Sequence, residues 1–217
     1  MKKLISITPL TGDSGRCRLA FDDGTVLKTA VSVAADQQLY PGKTLDEAAW
    51  QALSEAVEAA GARLRAVRIV SAAAVSEKEL RRRLERKGER PEHAAAATEW
   101  LRELGAVDDA RLAQSLVRRA AAKGYGPARI RQELAAKGVP RAHWDAALAT
   151  LPAADGAIDR YLAQKTGGVP PDRAQQKKLI DALRRRGHSW ADIQAGLRRL
   201  SEQELEFENW DGTSEDD

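Results

Sequence analysis

Three histidines, one cysteine and two short glycine- and aspartate-bearing stretches are the residues of this chain whose types and spacing suit chemistry. His93, His143 and His188 are spread along the sequence, and none has a His, Cys or Glu four residues on to complete a metal pair on one helix. They are expected at the surface or in packing. Cys17 is alone, which excludes an intrachain disulfide and a cysteine-rich zinc site and makes a reducing cytoplasm the expected setting. Gly124 and Gly126 around Tyr125 have the look of a phosphate cradle, but no strand precedes them, and turn residues are the commoner reading. Asp108 and Asp109 with Arg111 suit a partner contact, yet carboxylates in the first turn of a helix are more common. No nucleophile–base pair, zinc spacing or phosphate loop is visible. Enzyme is therefore the least supported class, and no catalytic residue, cofactor or metal is expected.

Positive charge is what the chain has in excess. Residues 1–61 carry 6 Lys/Arg and 8 Asp/Glu, residues 62–201 carry 29 and 16, and residues 202–217 carry none and 8, so the three regions stand at −2, +13 and −8. Lys87, Lys137 and Arg186 are placed to cap helix C-termini, where a cation is favoured by roughly 0.3–1 kcal/mol. The remainder exceeds what capping requires: Arg81, Arg82 and Arg86, then Arg118, Arg119, Arg129 and Arg131, then Lys177, Lys178, Arg184 and Arg185. Set along a repeated scaffold, these residues could track a phosphate backbone or an acidic groove, and they are the expected partner- or DNA-binding residues.

The elements that must position them repeat. Ser76-Glu77-Lys78-Glu79-Leu80 opens with a capping box, pairs Leu80 with Leu84 at i, i+4, and ends at Gly88. The same grammar returns over 126–138, with Ile130 and Leu134 before Gly138, and over 175–187, with Leu179 and Leu183 before Gly187. The glycines stand 50 and 49 residues apart, a period with room for about three short helices of roughly 11 residues each. The expected fold is mainly α, with three tandem three-helix repeats in an elongated array behind a small N-terminal β unit with a helix. Strands are expected over 4–9, 16–21 and 25–31, with a turn at Asp22-Asp23-Gly24. An amphipathic helix then runs from about Thr44 to Ala60, and Gly61 is expected to interrupt it. The divisions read are 1–61, 62–106, 107–154, 155–201 and an acidic, flexible tail over 202–217. Repeat one is expected to open with a helix over 62–74. Trp100, Trp144 and Trp190 fall in the third-helix regions, where core or inter-repeat packing is expected and base stacking is the lesser reading.

The order Ser76-Glu77-Lys78-Glu79-Leu80, Lys87-Gly88, Asp108-Asp109-Ala110-Arg111-Leu112-Ala113, Gly124-Tyr125-Gly126, Ile130, Glu133-Leu134 and Lys137-Gly138-Val139 resembles the RecX family of recombination regulators. The resemblance covers roughly residues 62–201, and the β unit looks like the N-terminal extension of some members. Three features depart from the pattern: Leu112 where an aromatic is usual, Ala72-Ala73-Ala74 where an arginine is frequent, and the acidic tail. What the resemblance implies is a non-enzymatic protein that binds the RecA–DNA filament and restrains its ATPase, strand exchange and co-protease activities. The rival reading is a helix-turn-helix-like protein acting directly on duplex or single-stranded DNA. Asymmetric repeats in one chain favour the first reading, with a monomer that binds DNA weakly alone. The tail joins eight acids to Leu205, Phe207 and Trp210, and is expected to fold back on the basic repeats with Phe207 and Trp210 as anchors.

Overall fold

The computed structural model describes residues 1–153 and 155–211, with side chains described for 1–12, 15–153 and 156–202. The chain divides into two compact units, Met1–Asp108 and Asp109–Asp217. It is mainly helical, with a small strand unit at its N-terminus and three-helix repeats behind it. No helix among the described residues is long and apolar enough to cross a membrane.

The first unit begins with β1 (Lys2–Leu10), β2 (Asp13–Phe21) and β3 (Val26–Ala30), joined as antiparallel neighbours. Gly24 takes φ +83° in the β2–β3 turn, where an L side chain would be strained. A fourth strand, β4 (Thr44–Leu45), pairs with the start of β1 and completes the sheet order β3-β2-β1-β4. Two residues are too short to show alternation, so β4 has no sequence signature. The short helix α1 (Val31–Asp36) and α2 (Glu47–Ala72) cover the sheet and bury Leu4, Leu19, Phe21, Val33, Leu45 and Leu53. Phe21 meets Trp50 of α2 edge to face with ring centroids 5.0 Å apart.

The expected break at Gly61 is absent, and α2 continues for 26 residues, so the division read there falls inside one helix. A glycine inside a helix costs about 1 kcal/mol relative to alanine. Here both halves of α2 are held by cores: Leu53 belongs to the sheet core, while Ala62, Ala66 and Ile69 belong to the next one. That second core is shared with α3 (Glu77–Arg86) and α4 (Pro91–Glu103), which contribute Leu80, Leu84, Ala94, Ala97 and Leu101. The segment expected as a separate first helix of repeat one is thus the second half of α2.

In the second unit, α5 (Asp109–Ala122), α6 (Pro127–Ala136) and a 3-10 turn (Arg141–His143) leading into α7 (Trp144–Leu148) enclose Leu112, Leu116, Val117, Ile130, Leu134 and Val139. Then α8 (Asp155–Thr166), α9 (Arg173–Arg185) and α10 (Trp190–Asp211) enclose Ile158, Leu162, Leu183, Ile193 and Leu197. The helix expected to stop near Leu200 continues to Asp211, so the backbone over 202–211 is helical. The tail anchors Phe207 and Trp210 have side chains outside the described residues.

Candidate functional site

Helix α3 shows how the fold turns a run of arginines outward. The Ser76 hydroxyl accepts from the Glu79 amide at 3.2 Å, Leu80 and Leu84 are fully buried, and Lys87 is the C-cap before Gly88 at φ +88°. With that face fixed inward, Arg81, Arg82 and Arg86 are exposed. They are not free of carboxylates. Arg81 lies 3.6 Å from Glu77, and Glu79 accepts from Arg82 at 2.5 Å and from Arg83 at 2.7 Å, with Arg86 at 3.8 Å. The Arg83 hydrogen bond, aided by Arg82, holds the Glu79 carboxyl below the ordinary carboxylate range against the opposing effect of desolvation.

Beside α3, Arg65, Arg68, Arg83 and Lys87 line an open cleft whose remaining walls are Ile69 and Ala72. Arg65 donates to the Lys87 carbonyl at 2.8 Å and pairs with Glu89 at 3.0 Å, which covers an orphan acceptor at the end of α3. Arg65 and Arg68 are three residues apart on α2, on one helix face. Neither stands out in the sequence, where the alanine-rich stretch shows mainly its apolar residues; their i, i+3 spacing is the available signal.

In the second unit the basic residues are less encumbered. Arg118 and Arg119 on α5, Arg129 and Arg131 on α6, and Lys177, Lys178, Arg184 and Arg185 on α9 are all exposed. Arg129 donates to the Gln132 side chain at 3.3 Å and stands 5.9 Å from the Tyr125 ring centroid. None of the eight forms an ion pair among the described residues.

The stretch Gly124-Tyr125-Gly126 is occupied by protein. The Gly126 amide donates to the Arg186 carbonyl at 2.8 Å and the Ala128 amide to the Gly187 carbonyl at 3.2 Å. The N-terminal donors of α6 thus satisfy C-terminal acceptors of α9, positive end to negative end. Arg186 adds a hydrogen bond to the Lys123 carbonyl at 2.9 Å and lies over Tyr161 at 4.7 Å, while His188 Nε2 stands 3.1 Å from the Gly124 carbonyl. A Cβ on Gly126 would sit 2.4 Å from the Gly187 carbonyl oxygen, so this approach requires glycine.

His93 and His188 are buried and His143 is half-buried. Trp100 packs against the core of α2, α3 and α4, and Trp144 packs on the core of repeat two while donating to the Val139 carbonyl at 3.0 Å. Trp190 departs from its expected packing role: it is the first residue of α10 and is 56% exposed, because the helix's buried face begins at Ile193. Asp109 lies in the first turn of α5 and is buried, as a carboxylate at a helix N-terminus can be.

A family model described as RecX, second three-helix domain, matches residues 108–148. The regulatory protein RecX of Xanthomonas campestris pv. campestris (strain B100) is 40% identical over 125 residues, which span 57% of this chain and 77% of that protein. The corresponding protein of Stenotrophomonas maltophilia (strain R551-3) is 38% identical over the same length. A crystal structure of regulatory protein RecX superposes with a TM-score of 0.72 at 24% identity, covering 89% of this chain and 98% of the other. That of RecX from Lactobacillus salivarius gives 0.58 at 20% identity, covering 66% and 97%. At those identities the two structures speak for the fold.

Proposed function

Since this chain belongs to the RecX family of regulatory proteins, we propose that it regulates a RecA-type recombinase by binding the recombinase–DNA filament and restraining its ATPase, strand exchange and co-protease activities. The observation that supports this reading most is the exposure of all eleven basic residues expected to bind, eight of them without an ion pair among the described residues. Cations held outward by helices whose opposite faces are buried are available to a polyanion without cost to the fold. Regulation needs no bond made or broken by the protein itself, and the role proposed is non-enzymatic. Arg118, Arg119, Arg131, Lys177, Lys178, Arg184 and Arg185 are the contacts proposed first. Arg81, Arg82 and Arg86 come second, because Glu77 and Glu79 compete for them. A recombinase ATPase assay on single-stranded DNA, titrated with this protein, tests the reading. Hydrolysis should fall in a saturable manner; unchanged hydrolysis at saturating protein would remove it.

A further inference from the structure

The face of α2 opposite the sheet carries Glu55 and Glu58, three residues apart, and both are exposed. They stand beside the first turn of α4, where His93 is only 6% exposed. Its Nε2 lies 3.3 Å from Glu55 Oε1 and 3.4 Å from Glu58 Oε2. Neither contact has hydrogen-bond geometry, and Nε2 is left without a hydrogen-bond partner. A buried ring nitrogen in that position is costly unless something else satisfies it.

We propose that Glu55, Glu58 and His93 form a binding site for a divalent transition-metal ion of the zinc class, joining α2 to α4. One donor atom from each residue can be chosen so that all three lie within 4.8 Å of one another. Zinc binds imidazole nitrogen and carboxylate oxygen at about 2.0–2.2 Å in tetrahedral geometry, which places ligand atoms about 3.3–3.6 Å apart. The two separations from Nε2 match that edge length. A mixed nitrogen and oxygen donor set suits zinc better than calcium or magnesium, which take oxygen ligands.

Arg90 supplies the surroundings such a site needs. Its Nη1 donates to Glu55 Oε2 at 2.9 Å and to Glu58 Oε2 at 3.1 Å, and its Nε donates to Glu92 at 2.6 Å. Glu55 therefore keeps Oε1 for the ion while Arg90 orients the other oxygen, the arrangement by which outer hydrogen bonds fix ligating carboxylates. The three glutamates and Arg90 sum to −2, which a divalent ion neutralises. The exposed side of Glu55 and Glu58 leaves the fourth position to water.

The test uses the full-length, untagged protein, first stripped with a chelator and then titrated with ZnCl2 by calorimetry and with CoCl2 by visible absorption. The expected result is uptake of one ion per chain, tetrahedral cobalt bands, and a thermal midpoint that rises with zinc concentration. Glu58→Gln and Glu55→Gln, both at exposed positions, should each weaken zinc at least tenfold while leaving the metal-free circular dichroism unchanged. His93→Gln should abolish the cobalt bands. If His93→Gln fails to fold, the two glutamine variants decide the matter. Absence of saturable uptake overturns the proposal, and so does uptake that both glutamine variants retain in full, which would place the ion elsewhere.

Discussion

Glu79 holds the internal counter-charge of the arginines on α3. It is the shared acceptor of Arg82 and Arg83, with Arg86 close by, and its side chain is 15% exposed while those arginines stand at 36–63%. Pairs with one partner that wet contribute little to stability, and Glu79→Gln is expected to cost about 0.5–1 kcal/mol in urea denaturation. Binding to single-stranded nucleic acid should strengthen at the same time, because three arginines lose their internal counter-charge. The pH dependence has a definite sign. Since the folded state holds the Glu79 carboxyl below its ordinary range, the contribution is complete above that range and is lost as pH falls through the depressed value. The stability gap between wild type and Glu79→Gln should therefore be widest near neutral pH and close on acidification; a gap that widens in acid would contradict the assignment.

At the scale of elements, the joint between α6 and α9 is the feature most exposed to single substitutions. A Cβ on Gly187 would lie 2.3 Å from the Arg129 amide nitrogen and would also require an L residue at φ +88°. Forced overpacking of this kind costs about 1–3 kcal/mol, and the backbone of two helix ends has less room to relax than a side chain. Gly187→Ala and Gly126→Ala should each accelerate amide hydrogen exchange in α6 and α9 by well over tenfold. Gly88→Ala is the control: its φ is also +88°, but nothing lies within 4 Å of the added carbon, so only the backbone cost of roughly 1 kcal/mol applies. Equal effects at all three glycines would mean that the joint bears no load. The three repeated helices were legible in the sequence because each carries its own signals: the buried pairs Leu80/Leu84, Ile130/Leu134 and Leu179/Leu183, and a glycine one residue beyond the cap. The joint was not legible, because Gly126 and Gly187 are far apart in sequence and each reads alone as a turn. For the same reason Glu55, Glu58 and His93 gave no metal signal: the spacing that unites them lies across two helices. The continuity of α2 through Gly61 was hidden as well, since a local helix breaker was outweighed by two cores that no local window contains.

For the whole molecule, the proposed role requires the basic residues to serve a nucleoprotein filament and not bare DNA. Exposed basic residues away from caps and cores contribute little to folding, so Arg131→Glu with Lys177→Glu should leave helicity and the thermal midpoint close to wild type. Each lost phosphate contact would also flatten the dependence of log affinity on log salt by about 0.7 on single strands. The most direct measurement is fluorescence anisotropy of labelled protein titrated, across a salt series, with bare single-stranded DNA and with the same DNA saturated by recombinase in the presence of a non-hydrolysable nucleotide. Binding to the coated strand should be at least tenfold tighter at physiological salt, with that preference reduced in the double variant. Equal or tighter binding to the bare strand, unaffected by recombinase, would contradict the proposed role and leave a direct DNA-binding protein in its place.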